Sequence, residues 1–174
     1  MKASYRELAL CGLLGAAALL LPVLFHLVHL GHVFMPMYQP LLVLAFLVGP
    51  APAAVTALVV PMLSGAVTGM PPFYPPVAPF MAIELAVMGA IIAFIRGRWP
   101  RLSPFFLLPP VLLLGRMLYM GMMYGFAVAA HLPADFIAGL SLLGGWPGLL
   151  LAMALVPPVV KVASARPLLN RRTP

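Results

Sequence analysis

Residues 69–76 read GMPPFYPP and separate two strongly apolar runs. Glycine and repeated proline end a helix on one side and delay the start of the next helix on the other. Phe73 and Tyr74 are therefore expected in a short, stiff loop at a membrane surface. Because a stiff loop loses little conformational entropy when it closes on a ligand, both aromatic residues are candidate ligand contacts.

The composition of the chain sets its class. Of 174 residues, 64% are hydrophobic and 7% are charged, whereas a soluble domain has about 25% charged residues. A transmembrane β-barrel would alternate apolar and polar residues instead of showing long apolar runs. The expected fold is thus all-α, a polytopic membrane protein with a single domain over residues 1–174. The net charge of +7 does not indicate nucleic acid, because the basic residues adjoin the apolar runs, where they set topology and contact lipid.

Six apolar runs are expected to form a bundle of six transmembrane helices. They cover residues 8–30, 36–48, 53–68, 77–95, 103–130 and 139–162. The first run exceeds the ~7–15 apolar residues of a secretory signal, so a retained helix is expected. The second and third runs are shorter than the ~20 residues of a usual span, and they either cross while bent at proline or are partly re-entrant. Interruptions are expected at Pro61 and near Pro109-Pro110.

Three basic clusters predict the orientation. They lie before the first run, at residues 96–101 and at residues 161–172. The positive-inside rule places all three clusters, and both termini, on the cytoplasmic side of the membrane, which is expected to be the cell (plasma) membrane. Two crossings instead of four between the first two clusters would fit the charges equally well, but would bury the 49–52 turn or the proline loop. The connections without Lys or Arg then face outward.

Polar and aromatic side chains of the outer connections are expected to meet over a small-molecule cavity between the helices. These residues are His29, His32, Tyr38, Gln39, Phe73, Tyr74, His131 and Asp135. The alternative is that the tyrosines anchor the protein at headgroup depth.

Glu84 and Arg116 are ionisable residues inside the predicted spans. Counted at 1.5 Å per residue, both lie at a similar depth in the membrane. They either form a buried ion pair that fixes helix packing, or Arg116 meets an anionic group of a substrate while Glu84 orients it. A third arrangement, in which Arg116 is buried without a partner, is not expected because an isolated buried charge costs too much free energy.

His26, His29 and His32 recur at a spacing of three residues, which suggests an alternative function as a haem- or metal-binding membrane subunit. No carboxylate or cysteine accompanies them, so neither a metal nor a cofactor is expected. A membrane enzyme that uses Glu84 as acid or base is a third hypothesis, but no nucleophile motif supports it.

Gly12 and Ala16 form a small-xxx-small face on the first helix. Such faces allow helices to pack closely in lipid. The partner helix lies either in the same chain or in another membrane subunit.

Several short motifs stand in order along most of the chain. They are Gly31, Pro36-Met37, Pro40, Gly49-Pro50, PMLS at 61–64, TGMPP at 68–72, Glu84-Leu85, Gly115-Arg116 and GWPG at 145–148. This succession resembles the S-components, the substrate-binding membrane subunits of energy-coupling-factor (ECF) vitamin transporters. Tyr38 stands where that resemblance would place a histidine.

The resemblance implies a subunit without its own ATPase, and the chain contains no G-x-x-x-x-G-K-[ST] loop. It implies that a water-soluble vitamin or related micronutrient binds near the outer face, and Arg116 favours a carboxylate-bearing ligand such as pantothenate. It also implies a transmembrane coupling subunit and two cytoplasmic ATPase subunits as partners, with Gly12 and Ala16 at the contact with the coupling subunit.

Overall fold

The computed structural model describes residues 4–27, 34–133 and 145–165. These residues form six helices and no strand. The helices are α1 (Tyr5–Leu27), α2 (Tyr38–Leu47), α3 (Pro50–Thr68), α4 (Val77–Arg98), α5 (Pro104–Ala129) and α6 (Trp146–Ala165). Five of the six are long and apolar enough to cross a membrane. The prediction of an all-α, multi-pass membrane protein is confirmed.

Prolines do not interrupt the long helices. Pro61 lies inside α3, and Pro109 and Pro110 lie inside α5. The predicted interruptions at these positions are therefore wrong. In a helix bundle, neighbouring helices and small local adjustments satisfy the backbone groups that proline leaves free, so the helix continues.

Small residues bring the long helices close together. A Cβ added at Gly15 of α1 would lie 3.4 Å from Thr56 Cγ2 of α3, and one added at Gly89 of α4 would lie 3.5 Å from the Ala53 carbonyl oxygen of α3. Close backbone approach of this kind stabilises helix pairs in lipid. The second contact also places the start of α3 at the end of the bundle where residues 96–101 lie, which we call the basic end.

The proline loop, residues 69–76, lies at the other end of α3, which we call the proline-loop end. Ser64 Oγ donates a hydrogen bond of 2.7 Å to the Met70 carbonyl oxygen, and Thr68 Oγ1 donates one of 3.0 Å to the same atom. The start of the loop is thus tied back to the last turns of α3.

The second apolar run does not span the bundle. α2 has 10 residues and measures about 15 Å, half of a ~30 Å hydrocarbon core. Every residue of α2 except Gln39 is buried, as expected for a helix enclosed by other helices. Of the two alternatives for this run, a full span bent at proline is excluded by its length.

α2 occupies the basic half of the bundle. Its C-terminal end adjoins Gly49, whose N–H donates a hydrogen bond of 2.7 Å to Glu7 Oε1 in the first turn of α1. Its first residue, Tyr38, contacts Glu84 near the middle of α4. The helix therefore starts at mid-depth and ends at the basic end.

Candidate functional site

Tyr38 and Glu84 form the polar centre of the bundle. The Tyr38 hydroxyl donates a hydrogen bond of 2.5 Å to Glu84 Oε2. Tyr38 is 3% exposed and Glu84 is 1% exposed. Tyr38 was expected in an outer connection, but it opens an enclosed helix and therefore lies inside the protein, where its hydroxyl joins α2 to α4.

Glu84 has a second oxygen without a partner. Among the described residues, none donates a hydrogen bond to Glu84 Oε1, although this atom is buried. Leaving a buried acceptor unsatisfied costs about 1–3 kcal/mol. The described part of the fold therefore leaves an acceptor for a donor that it does not itself supply.

Gln39 presents a second such acceptor on the same turn of α2. Its Nε2 donates a hydrogen bond of 3.2 Å to the Gly148 carbonyl oxygen at the start of α6. Because a carbonyl oxygen can only accept, this bond fixes which side-chain atom of Gln39 is the oxygen. That oxygen is buried and has no donor in the described part of the chain.

Arg116, which belongs to α5, lies near Glu84 of α4 and is 7% exposed. Its guanidinium carbon stands 5.5 Å from the centre of the Tyr119 ring, and its Nη2 donates to Met35 Sδ at 3.7 Å. Arg116 and Glu84 form no ion pair, and Arg116 has no carboxylate partner among the described residues. Of the two arrangements expected from the sequence, the buried ion pair is thus not formed.

Arg116 and Glu84 contact side chains from the two ends of one turn of the chain. The Tyr38 N–H donates a hydrogen bond of 3.0 Å to the Met35 carbonyl oxygen, and the ends of such a turn are less than about 7 Å apart. Arg116 contacts the Met35 side of the turn, whereas Glu84 contacts the Tyr38 side. The N-terminus of α2, which carries the partial positive charge of a helix start, begins at this turn.

Two glycines allow α6 to begin against this cluster. A Cβ added at Gly145 would occupy the position of Arg116 Nη2, and one added at Gly148 would lie 2.9 Å from the Phe34 carbonyl oxygen. Only glycine fits at position 145 while the guanidinium keeps its place. The site therefore combines the N-terminal ends of α2 and α6 with side chains from α4 and α5.

Phe73, Tyr74 and His131 lie in a separate outer layer at the proline-loop end. The Tyr74 ring makes an edge contact with Phe126 of α5, with ring centres 6.0 Å apart, and all three predicted residues are exposed. Glu84 lies seven residues into α4, about 10 Å deeper. The structure thus divides the predicted site residues between two levels instead of placing them in one shell.

Other sequence candidates fall outside the part that the structure describes. His29, His32 and Asp135 lie in its gaps, and the side chain of His26 is likewise not described. Among the described residues, no group of three His, Cys, Asp or Glu side chains is placed to hold a metal ion.

The small face of α1 is not covered by the part of the chain that the structure describes. Gly12 and Ala16 are exposed, and a Cβ added at Gly12 would meet no atom within 4 Å. It is Gly15 that packs on α3 instead. Packing among residues 4–27, 34–133 and 145–165 therefore does not use the face formed by Gly12 and Ala16.

Sequence reasoning missed Met35, Tyr119 and Gly145 as members of the cluster. Tyr119 follows Arg116 by three residues, a spacing that places two side chains on one helix face, and this signal was available. Nothing in the sequence placed residues 35 and 145 beside Arg116, because both lie outside the regular helices and take their positions from tertiary packing.

In comparisons with protein-family models, curated proteins and solved structures, no match to this chain was found.

Proposed function

We propose that the chain is the substrate-binding subunit of an ECF-type importer, which captures a water-soluble vitamin or related micronutrient and relies on a separate ATPase. The observation that carries this proposal is the buried Glu84 Oε1 atom, which lies close to Arg116; among the described residues the first has no donor and the second has no carboxylate partner. Ionisable groups inside a membrane are costly and commonly mark substrate pathways. A bound molecule with both a donor and an acceptor would satisfy both groups.

A purely structural cluster would be expected to close on itself. A buried polar network that only fixes helix packing needs its charges and hydrogen bonds matched. Among the described residues, only one Glu84 oxygen has a donor, and Arg116 rests on a thioether and an aromatic face, which are weak partners. The mismatch favours a ligand over a helix-packing role.

The short helix α2 supports the same proposal. Transporter sites near the middle of the membrane are commonly built from short or interrupted helices whose N-termini point at the substrate. α2 begins beside Glu84 and Arg116, and the rest of it is packed in the apolar core. A solute would approach from the proline-loop end, since α2 fills the basic half.

The proposal includes partners and an orientation. Following the resemblance to S-components, the basic end and both termini face the cytoplasm of the plasma membrane, and a coupling subunit with two ATPases joins from that side. The exposed face of Gly12 and Ala16 on α1 is the proposed contact with the coupling subunit, because no described residue of the chain covers it.

Ligand binding by the purified chain tests the central part of this proposal. The full chain in detergent micelles is screened by thermal shift and native mass spectrometry against a panel of vitamins, amino acids and related micronutrients. We expect at least one compound to raise the melting temperature of the wild type and to be retained at one molecule per chain. A panel that leaves the melting temperature unchanged and yields no retained compound would contradict the proposal.

Two variants locate the binding. Tyr124→Phe on the exposed surface of α5 serves as the control and is expected to keep the shift. Tyr38→Phe removes the hydroxyl bonded to Glu84 and is expected to reduce it. Equal shifts for the two variants would place the ligand elsewhere in the protein.

A further inference from the structure

On the premise that the chain is a binding subunit, we infer that its ligand is amphoteric, with a cationic amine that meets Glu84 and a carboxylate that meets Arg116. The two contacts lie on either side of the turn at residues 35–38.

The Glu84 side of the cluster offers acceptors. The Tyr38 hydroxyl donates to Glu84 Oε2, so Glu84 Oε1 remains as an acceptor for a ligand. Gln39, on the same turn of α2 as Tyr38, adds a second buried oxygen. An ammonium group carries three donors and a full positive charge, whereas a hydroxyl carries one donor and none. Because Coulomb attraction is much stronger away from bulk water, a cationic donor fits a buried carboxylate best.

The Arg116 side offers donors. A guanidinium presents five N–H groups in a planar fork that matches a carboxylate with two parallel hydrogen bonds. In the described residues only one of its nitrogens has an acceptor, the Met35 sulfur. Tyr119 and Gly145 hold the guanidinium from two sides, which orients the fork before a ligand arrives.

The overall charge of the cluster distinguishes an amphoteric ligand from other ligands. Glu84 and Arg116 contribute one carboxylate and one guanidinium, so a zwitterion leaves the buried site neutral. A pantothenate-like anion, expected from Arg116 alone, would pair with the arginine but would add a second negative charge near Glu84. A simple metal cation would meet Glu84 but would be repelled by Arg116.

Identification of the retained molecule tests this inference. The full-length protein in micelles is incubated with the dialysable metabolite fraction of the expression host, passed through a desalting column and weighed by native mass spectrometry. The released molecule is then treated with dansyl chloride, which labels amines, and with carbodiimide and aniline, which label carboxylates. We expect one retained species that takes up both labels.

The outcomes separate this inference from the proposed function. A retained species that takes up only one of the two labels would overturn the amphoteric ligand and leave the binding function standing. A wild-type protein that retains nothing would overturn both.

Matched variants assign each group to its partner. Glu84→Gln and Arg116→Gln are each expected to lower retention at least about tenfold, whereas Arg98→Gln at the exposed basic end keeps it. Unchanged retention in both site variants would overturn the assignment. Should either variant fail to fold, the labelling of the wild-type ligand still decides the question.

Discussion

The two halves of the bundle are built differently around the same axis. In the basic half, α2 fills the centre, and residues 41–48 are apolar and buried without exception. In the other half α2 is absent, and the polar side chains of Tyr38, Glu84 and Arg116 stand at the boundary. One half is closed by apolar packing, whereas the other begins with polar side chains, and the described residues supply no donor to the buried oxygens Glu84 Oε1 and Gln39 Oε1.

This difference indicates a division of roles. The packed half anchors the N-terminus of α2 at mid-depth and supplies much of the stability. The polar boundary includes buried oxygens without a donor among the described residues, which is a cost to stability; under the proposed function a bound ligand would offset that cost. Changes in the basic half should therefore affect stability, and changes at the boundary should affect binding.

The largest stability effect is expected for Leu44→Ala in the middle of α2. Leu44 is 0% exposed, and its truncation leaves a cavity that lowers the free energy of unfolding by about 2–3 kcal/mol. Unfolding by SDS titration in mixed micelles measures this. Leu113→Ala, at an exposed position on α5, is the control, and an equal loss in both variants would show that α2 is not a packed anchor.

Tyr38→Phe tests whether the boundary between the two halves serves binding more than stability. Without the hydroxyl, neither oxygen of Glu84 has a donor among the described residues, and the cost is about 1–3 kcal/mol. Because the ring remains, the packing of α2 is kept. We expect the free energy of ligand binding to fall by more than the free energy of unfolding when the two are measured side by side. A variant that loses stability but binds as wild type would contradict a binding role for this pair.

Gly145→Ala displaces the guanidinium without touching α2. The added methyl would occupy the place of Arg116 Nη2, so Arg116 must shift and ligand retention should fall about tenfold. Gly121→Ala on α5 is the matched control, because a Cβ there meets no atom within 4 Å. Equal retention by the two alanine variants in native mass spectra would argue against a role for Arg116.

Gly12→Leu should have the smallest effect on the isolated chain. Gly12 is exposed, and a Cβ there would meet no described atom within 4 Å, so the unfolding free energy should change by less than about 0.5 kcal/mol. A leucine there should nevertheless block close approach of another helix. Co-purification with co-expressed coupling and ATPase subunits should be lost, and an intact complex would exclude this face as the contact.

The sequence predicted where the helices lie along the chain better than how deep in the bundle each one starts. The apolar runs are separated by Gly, Pro and charge, so six helices were predicted, and five of them are long and apolar enough to cross a membrane. Pro36 and Pro40 indicated that the second run was unusual. They could not show that its helix starts in the middle of the bundle, since that depends on packing against α4 and α6.

The candidate site was predicted in part. Glu84 and Arg116 stood out because a charge in an apolar run is rare, and their similar depth followed from counting residues. Their missing ion pair could not be predicted, because side-chain direction decides it and a tyrosine took one oxygen of the carboxylate. Tyr38 was placed too far outward for the same reason that α2 was misjudged.

A ligand-bound structure of the full chain tests the central claim most directly. We predict density for one small molecule at the N-terminus of α2, within hydrogen-bond distance of Glu84 Oε1 and the Arg116 guanidinium. A molecule bound only in the outer layer of Phe73, Tyr74 and His131, with Glu84 and Arg116 satisfied by protein groups, would contradict it.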